Sequence, residues 1–294
     1  MGGISDSSLR KPIPTKGTIE TFDEALAAIE LVTESNSERR LLFRGHADSS
    51  WRMCPGLFRQ KPDISQFEHE MVRELISAFP AHFTDDLSMF DKLVRMQHFG
   101  LPTRLLDVTK NPLVALYFAC DPEYEESIDG SLVFFIGDRD RHKFFDSDVV
   151  SCMANLANLK LEEKKSIEDT PLSTVNELKT LKAVDRLAQF IRVEKPYFKD
   201  RIKKLDLFRP VSVTPKMSNP RLNAQFGEFV LYGLDAEKGP TFPRSSGASK
   251  YDIASSSKQK IRKKLENLGI TGAFLFPEID KAAKQIRRKY CEMI

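Results

Sequence analysis

The spacing of apolar residues near the start of the chain predicts an amphipathic helix. Thr21 followed three positions later by Glu24 has the form of a capping box, which is typical of a helix N-terminus. Phe22, Leu26 and Ile29 then recur at the three- and four-residue intervals that place side chains on one helical face. The chain is therefore predicted to enter a helix at about residue 21.

Two further helices are marked by their ends. Ser65 and Glu68 repeat the capping-box pattern, and apolar residues follow at helical spacing until Pro80. A third helix is predicted from about Ser88 to Gly100, because glycine readily adopts the left-handed conformation in which helices end.

Short apolar runs between the helices predict strands. Residues 41–43 and 131–136 read as buried strands, and residues 103–109 as a strand or an extended loop. An Asn-Pro pair at Asn111 supplies an N-cap and a first-turn proline for an almost wholly apolar helix over residues 113–120. Such a helix is usually buried on most sides.

The second half of the chain alternates in the same way. Strands are predicted at residues 208–213, 224–234 and 273–276, and helices at 258–268 and 278–290. Because strands and helices interleave without a strict β-α-β rhythm, we predict the α+β class, with a mixed or antiparallel sheet core and surrounding helices.

The domain organisation follows from where this periodic signal is strong. Residues 1–17 are predicted to be a disordered tail, and residues 18–294 a single domain. Within it, residues from about 138 to 218 are richer in charge and poorer in periodic signal. They are predicted to form a charged, partly helical insertion.

Composition narrows the class of protein. Hydrophobic residues make up 41% of the 294 residues and charged residues 30%, which is an ordinary globular balance. No apolar run approaches the ~20 residues of a membrane helix, and the N-terminus does not resemble an export signal, so we expect a cytoplasmic protein with no membrane partner. The net charge of +3 does not by itself require a polyanionic partner.

The sequence lacks several signatures of common chemistry. It has no phosphate-binding P-loop, no Gly-rich dinucleotide fingerprint, no zinc-protease motif and no hydrolase nucleophile elbow. Its four cysteines lie far apart without metal-ligand spacing, which favours reduced thiols, and no bound metal is expected.

Several strings of residues together resemble the FRG domain. They are Phe43-Arg44-Gly45, then Trp51 with Pro55 and Leu57-Phe58-Arg59, the long string from Met96 to Asp107 (MQHFGLPTRLLD), Asn111-Pro112, Ala115–Ala119, Asn219–Phe229 and Leu275–Asp280. The match extends from about residue 20 to 290. FRG domains occur in bacteria and phages, so the resemblance implies a bacterial or phage protein but leaves its activity to be argued from residues.

The order of these features is similar to that of ADP-ribosyltransferases. Those enzymes place an Arg or His on an early strand, a polar strand before a buried helix, and a Gln/Glu-x-Glu element on a late strand. Here these features would be Arg44, residues 103–109 and Gln225 onward. The position two residues after Gln225 is Gly227, and Glu228 comes one place later, so Asp107 is the carboxylate we would test first.

Two sets of candidate site residues follow from the resemblance. The predicted catalytic residues are Arg44, Asp107, Gln225 and Glu228. The predicted substrate-binding residues are Arg104, Thr103, His98, Gln97, Arg59 and Trp51. An Arg could grip a pyrophosphate with its planar fork of donors, and a carboxylate could stabilise the oxocarbenium character of a ribose as its base departs. Arg44, Arg104, Asp107 and Gln225 are predicted to line one pocket.

Each of these residues also has a structural interpretation. Arg44 could form a buried ion pair with Asp107, and His98 could cap the C-terminus of its helix. Gln225 could satisfy backbone groups of the sheet. The remaining two structural interpretations are Trp51 as part of the core and Arg59 as a solvated neighbour of Lys61.

The functional hypotheses come from different classes. The first is an ADP-ribosyltransferase or NAD glycohydrolase-type effector, active as a toxin or in anti-phage defence, with NAD as substrate and a protein or nucleic acid as possible acceptor. The second is a nucleotide sensor without catalytic activity. The third is a nucleic-acid-binding module that uses the basic segments 258–264 and 281–289, although a solvated helix face is the more common explanation of such charge runs. The sequence leaves the oligomeric state open.

Overall fold

A computed structural model describes residues 13–121, 127–137, 139–171, 174–217, 219–234 and 248–278, with isolated positions at 283 and 287. The described residues form one eight-stranded mixed sheet in the order β1-β8-β4-β2-β3-β7-β6-β5. The two edge strands pair in parallel with their neighbours and the inner pairs are antiparallel. The predicted combination of a mixed sheet with surrounding helices is therefore confirmed.

The strands are β1 (Thr15–Ile19), β2 (Arg40–His46), β3 (Leu105–Thr109), β4 (Gly130–Gly137), β5 (His142–Phe144), β6 (Val211–Thr214), β7 (Gly227–Leu231) and β8 (Ala248–Ile253). The helices within the described ranges are α1 (Phe22–Glu34), α2 (Glu68–Ala78), α3 (Met89–His98), α4 (Pro112–Ala119), α5 (Asp148–Ala154), α6 (Leu161–Asp169), α7 (Val175–Leu178), α8 (Lys182–Glu194), α9 (Lys204–Phe208), α10 (Pro220–Ala224), α11 (Lys258–Asn267) and α12 (Gly272–Leu275).

Three of the helix ends predicted in the first half are confirmed, because their local signals are satisfied. Thr21 accepts a hydrogen bond from the Glu24 amide at 3.2 Å, as a capping box requires. Gly100, just beyond α3, has a φ of +91°, in the left-handed region that glycine adopts without strain. Asn111 caps α4 by accepting from the Leu113 amide at 2.9 Å.

One face of the sheet carries two hydrophobic clusters side by side. On the first, Phe43 of β2 packs with Val114 and Ala115 of α4. On the second, Leu93 of α3 packs with Phe229 of β7. A third cluster, which includes Leu42 and Val108, covers the opposite face. The middle strands of the sheet are thus buried on both faces, and the boundary between the first two clusters falls along β2 and β3.

Gly45 sets how closely α4 approaches β2. A Cβ atom at this position would lie 1.9 Å from the Ala115 carbonyl oxygen and 2.5 Å from the Ala119 amide nitrogen. Because both neighbours belong to the helix backbone, no side chain could move aside to accept it. The glycine after Arg44 therefore permits the contact that fixes β2 beneath α4.

The segment predicted as an insertion is partly helical and also contributes to the sheet. Helices α5 to α9 enclose a hydrophobic cluster of their own, which includes Leu156, Val184 and Ile202. The same segment supplies β5 and β6, which extend the sheet beyond β7. At the other end, residues 15–17 of the predicted tail begin β1, and residues 1–12 lie outside the described range.

Two local predictions are wrong. Of residues 273–276, predicted as a strand, the first three belong to α12 and Phe276 follows its end, because Thr271 caps this turn by accepting from the Phe274 amide at 3.1 Å. Glu68 does not close a capping box with Ser65, since its carboxylate binds Arg104 and Lys164. The helix predicted over 278–290 lies almost wholly outside the described residues.

Candidate functional site

The central feature is an opening between β2 and β3. These neighbouring strands are paired at Phe43 and Thr109 only, whereas β2 stays paired with β4 along all seven of its residues. Beyond Phe43, the Arg44 guanidinium fills the opening and donates from Nη1 to the Asp107 carbonyl oxygen at 2.5 Å. A side chain thus satisfies a backbone acceptor that a continuous ladder would have satisfied.

Asp107 presents its carboxylate on the face where the two hydrophobic clusters meet. Its ladder partner is Phe229, and residues directly opposite one another in a ladder share a face. The Asp107 side chain is 60% exposed, and its Oδ2 lies 4.0 Å from Nη1 of Arg44. The structure therefore brings these two predicted residues together, as an open contact and not as a buried ion pair.

A short chain of hydrogen bonds orients the carboxylate. Gln97, in the last turn of α3, donates from Nε2 to Oδ1 of Asp107 at 2.9 Å. The buried Thr103 hydroxyl in turn donates to Oε1 of Gln97 at 2.5 Å, which fixes the amide orientation. Thr103 and Gln97 thus orient the Asp107 carboxylate, while the Asp107 side chain stays mostly exposed.

His46 is a member of the site that sequence reasoning missed. Arg44 Nε donates to His46 Nε2 at 3.1 Å, so this imidazole nitrogen must be an unprotonated acceptor. Burial, followed by the positive charges of Arg44, Arg59 and Lys250, lowers the pKa of His46 to about 2. The available signal was its spacing, because residues two apart on a strand share a face.

Trp51 and Arg59 extend the site beyond His46. The half-buried Trp51 ring lies 6.0 Å from the His46 ring, and the Arg59 guanidinium lies 5.7 Å from the Trp51 ring centroid. Arg59 itself is exposed. The structure therefore groups these two predicted residues with Arg44 through His46.

His98 lies on the other side of Gln97 and does not cap its helix as a cation. Its Nδ1 is 2.9 Å from Nδ2 of Asn219, and an amide nitrogen can only donate, so Nδ1 is the acceptor. Burial, together with the nearby charge of Arg221, lowers the pKa of His98, although Asp107 and Glu278 oppose this effect. A neutral imidazole therefore stands near the Asp107 carboxylate.

Gln225 serves the backbone, in agreement with its structural interpretation. Its side-chain Nε2 donates to the Leu275 backbone carbonyl at 3.0 Å, and its backbone carbonyl accepts from the Thr109 hydroxyl at 2.7 Å. It follows α10 and precedes β7, so it lies on no strand. Gln225 thus links β3, α10 and α12 around the site through its side-chain nitrogen and its backbone carbonyl.

Glu228 lies in a separate buried cluster. Its side chain is fully buried, forms an ion pair with Arg40 and accepts from the Thr214 hydroxyl at 2.9 Å. Lys110 Nζ lies 3.8 Å from the same carboxylate oxygen. The geometry gives Glu228 a pairing role between β2, β6 and β7, and the exposed carboxylate at the opening is that of Asp107.

Arg104 is likewise absent from the opening. It is 2% exposed and binds Glu68 through two hydrogen bonds of 2.8 and 2.5 Å, while Lys164 contacts the same carboxylate at 2.6 Å. Its Nη1 also donates to the carbonyl oxygen of Tyr232 at 3.0 Å. This network joins β3, α2 and α6, so the structure does not confirm one pocket lined by Arg44, Arg104, Asp107 and Gln225.

The described residues contain no group of three or more His, Cys, Asp or Glu side chains placed to hold a metal ion. None of the helices in these ranges is long and apolar enough to cross a lipid bilayer. Cys54, Cys120 and Cys152 are free and buried, and Cys291 lies outside the described residues. The groups that the structure brings together at the opening are the Arg44 guanidinium, the Asp107 carboxylate, the Gln97 amide and the His46 and His98 imidazoles, with Trp51 and Arg59 beyond His46.

Comparison with known families gives a match over part of the chain. Residues 39–127 match the model of the FRG domain. The matched range contains β2, α3, β3 and α4, and with them Arg44, Gln97 and Asp107. Comparison with the curated proteins and with the solved structures found no match. The chain is therefore an FRG domain-containing protein, with its candidate site inside the matched range.

Proposed function

We propose that the chain binds NAD, or a related phosphorylated nucleoside, at the opening between β2 and β3 and cleaves its ribosyl bond. The observation that carries the proposal is the exposed Asp107 carboxylate, held by Gln97 at 2.9 Å and next to the Arg44 guanidinium. A fixed carboxylate beside a fixed cation is the pair that a dinucleotide with anionic phosphates and a reacting ribose requires.

The strand order supports the same proposal. The three segments with a predicted ADP-ribosyltransferase-like order lie on or next to β2, β3 and β7, which are neighbours in the sheet. Arg44 would contact the phosphates, because its fork of N–H donors matches their oxygens. The half-buried Trp51 offers a ring against which a base or nicotinamide could pack.

The proposed step breaks the bond between ribose C1′ and the nicotinamide nitrogen. The bonding electrons leave with nicotinamide, whose ring thereby loses its positive charge, while positive charge develops on the ribose. Asp107 stabilises this charge and takes the proton of the incoming hydroxyl, whose oxygen forms the new bond to C1′. Water as nucleophile gives an NAD glycohydrolase, and a hydroxyl of a protein or nucleic acid gives an ADP-ribosyltransferase.

Two site variants with matched controls test the proposal. Purified protein is incubated with NAD, and released nicotinamide and labelled macromolecules are measured by mass spectrometry. Asp107→Asn and Arg44→Ala should each lower the rate by roughly 100-fold or more. The matched controls are Asp185→Asn and Arg192→Ala: Asp185 accepts from a Gln amide at 2.8 Å, as Asp107 does, and Arg192 lies 3.9 Å from a carboxylate, that of Asp200. Both residues lie on α8, far from the opening in sequence, so these changes should leave the rate unchanged.

Other results would contradict the enzyme proposal. Cleavage at the wild-type rate by both Asp107→Asn and Arg44→Ala would place the activity elsewhere. Binding of NAD by the wild-type protein in calorimetry, without turnover and with loss of binding in Arg44→Ala, would establish a nucleotide sensor at this site instead.

A further inference from the structure

A second surface with ligand-binding character lies in the helical segment far from Arg44 in sequence. The basic loop, defined here as residues 195–203, connects α8 to α9. Together with the start of α5 it borders an open cavity of about 570 Å³. Cavities of a few hundred Å³ are the size at which proteins bind ligands.

Burial alternates along the second half of the basic loop. Lys199, Arg201 and Lys203 are exposed, whereas Asp200 is half-buried and Ile202 is only 3% exposed. Ile202 belongs to the hydrophobic cluster of α5 to α9, so it anchors the loop to the helices. The anchor leaves three cations in a row on the solvent side.

The acidic residues around the cavity are already paired with other cations. Asp148 lies 2.8 Å from Nζ of Lys195, and Asp206 lies 3.3 Å from Nη1 of Arg141. Asp200 lies 3.9 Å from Nη2 of Arg192. Among the described residues, no ion pair involves Lys199, Arg201 or Lys203, so their charge remains available to a partner.

An aromatic ring stands beside these cations. Tyr197 is 96% exposed, although its neighbour Phe198 packs against the hydrophobic cluster of α5 to α9. Val193 and Leu205 are exposed nearby in sequence, by 84% and 63%. An aromatic side chain exposed in this way does not contribute to the hydrophobic core, and its ring is accessible for stacking on a flat ligand.

We infer that the basic loop binds single-stranded nucleic acid. A row of exposed cations suits a linear polyanion better than a compact anion, because each cation can neutralise a separate phosphate. The Tyr197 ring favours nucleic acid over an acidic peptide, because base stacking on aromatic side chains is the second component of single-strand binding surfaces. This binding goes beyond the proposed function and depends on none of the residues at the opening.

Fluorescence polarisation tests the inference with a labelled oligouridylate of about twelve nucleotides, within the site sizes of such surfaces. Tyr197→Ala should weaken binding roughly 5- to 100-fold, and Tyr197→Phe, which keeps the ring, should bind as the wild type does. Changing Lys199, Arg201 and Lys203 together to Glu should abolish binding at moderate salt. In the wild type, affinity should fall steeply as salt rises, by about 0.7 decades per decade of salt for each phosphate contacted.

The matched control carries the same charge change on α11. Lys260, Lys263 and Lys264 are exposed there, and they are changed to Glu together. This variant should bind the oligonucleotide within about twofold of the wild type, because salt screens charges that do not contact the ligand. Equal loss in both triple variants, or no binding by the wild type, would overturn the inference. So would displacement of the oligonucleotide by polyglutamate at equal charge concentration, since this would indicate an acidic-peptide surface.

Nicotinamide release from NAD, measured on the same variants, separates this inference from the proposed function. The basic-loop variants should cleave NAD at the wild-type rate with water as acceptor. Arg44→Ala should retain oligonucleotide binding. Either proposal can therefore fail without the other.

Discussion

Two Arg–carboxylate pairs near the same strand show how burial divides one chemistry into two roles. Arg104 and Glu68 are joined by two hydrogen bonds, and both side chains are no more than 3% exposed. Arg44 and Asp107 lie 4.0 Å apart, and the Asp107 side chain is 60% exposed. The first pair has no open side for a ligand, whereas the second has one.

The difference lies in what completes each pair. The buried Glu68 carboxylate also pairs with a second cation, Lys164, and is shielded from solvent. The exposed carboxylate is completed by a neutral amide from Gln97, which orients it without neutralising its charge. In a structural pair the buried charges neutralise one another, whereas in a candidate site the charges are held in place and can still contact a ligand.

The largest effect expected from this comparison is on stability. Arg104→Ala leaves the Glu68 carboxylate buried with Lys164 as its remaining cation, and loss of one partner in a buried pair costs about 3–5 kcal/mol. Arg44→Ala should cost less, about 1–3 kcal/mol, because it leaves the His46 nitrogen and the Asp107 carbonyl without their donor but leaves no buried charge unpaired. Denaturant unfolding of the two variants measures the difference.

A triple substitution sharpens this result. Arg104→Met combined with Glu68→Leu and Lys164→Met removes all three charges together and should recover part of the lost stability, since no charge is then buried alone. Equal destabilisation by Arg104→Ala and Arg44→Ala would show that the two pairs do not differ as their burial suggests.

An intermediate effect is expected from pH, through His46. Its folded-state pKa of about 2 is below the ordinary value of 6.5, so the unfolded chain takes up a proton first as pH falls. The free energy of unfolding should therefore decrease below about pH 6.5, by about 1 kcal/mol at pH 5.5.

His46→Gln retains an acceptor for Arg44 and removes the titration. Its unfolding free energy should depend less steeply on pH between 6.5 and 5 than that of the wild type, as measured by urea unfolding at several pH values. Parallel pH profiles for the two proteins would contradict a neutral, buried His46.

The smallest stability effect is expected at the carboxylate itself. Asp107→Asn should change the free energy of unfolding by less than about 0.5 kcal/mol, because the side chain is mostly exposed and the amide oxygen can still accept from Gln97. Asp185→Asn on α8 should behave in the same way. A marked loss of stability in Asp107→Asn alone would assign this residue a structural role.

Local patterns in the sequence determined the helices around the site and several of the residues it contains. Thr21, Gly100 and Asn111 act as predicted because capping depends on a few neighbouring atoms. The strands of 41–43 and 131–136 were visible because buried strands are continuous apolar runs. Arg44, Gln97 and Asp107 were all among the predicted site residues, and the structure connects them.

Only the tertiary structure decided which charges remain available. Arg104 was predicted to bind substrate and Glu228 to be catalytic, but their partners Glu68 and Arg40 are 36 and 188 positions away. The pairing of β1 and β8, which the sequence did not indicate, likewise joins residues more than 200 positions apart. Local periodicity contains no information about such contacts, because they depend on how the whole sheet assembles. For the same reason the exposure of Asp107, on which the proposed activity depends, could be read only from the folded chain.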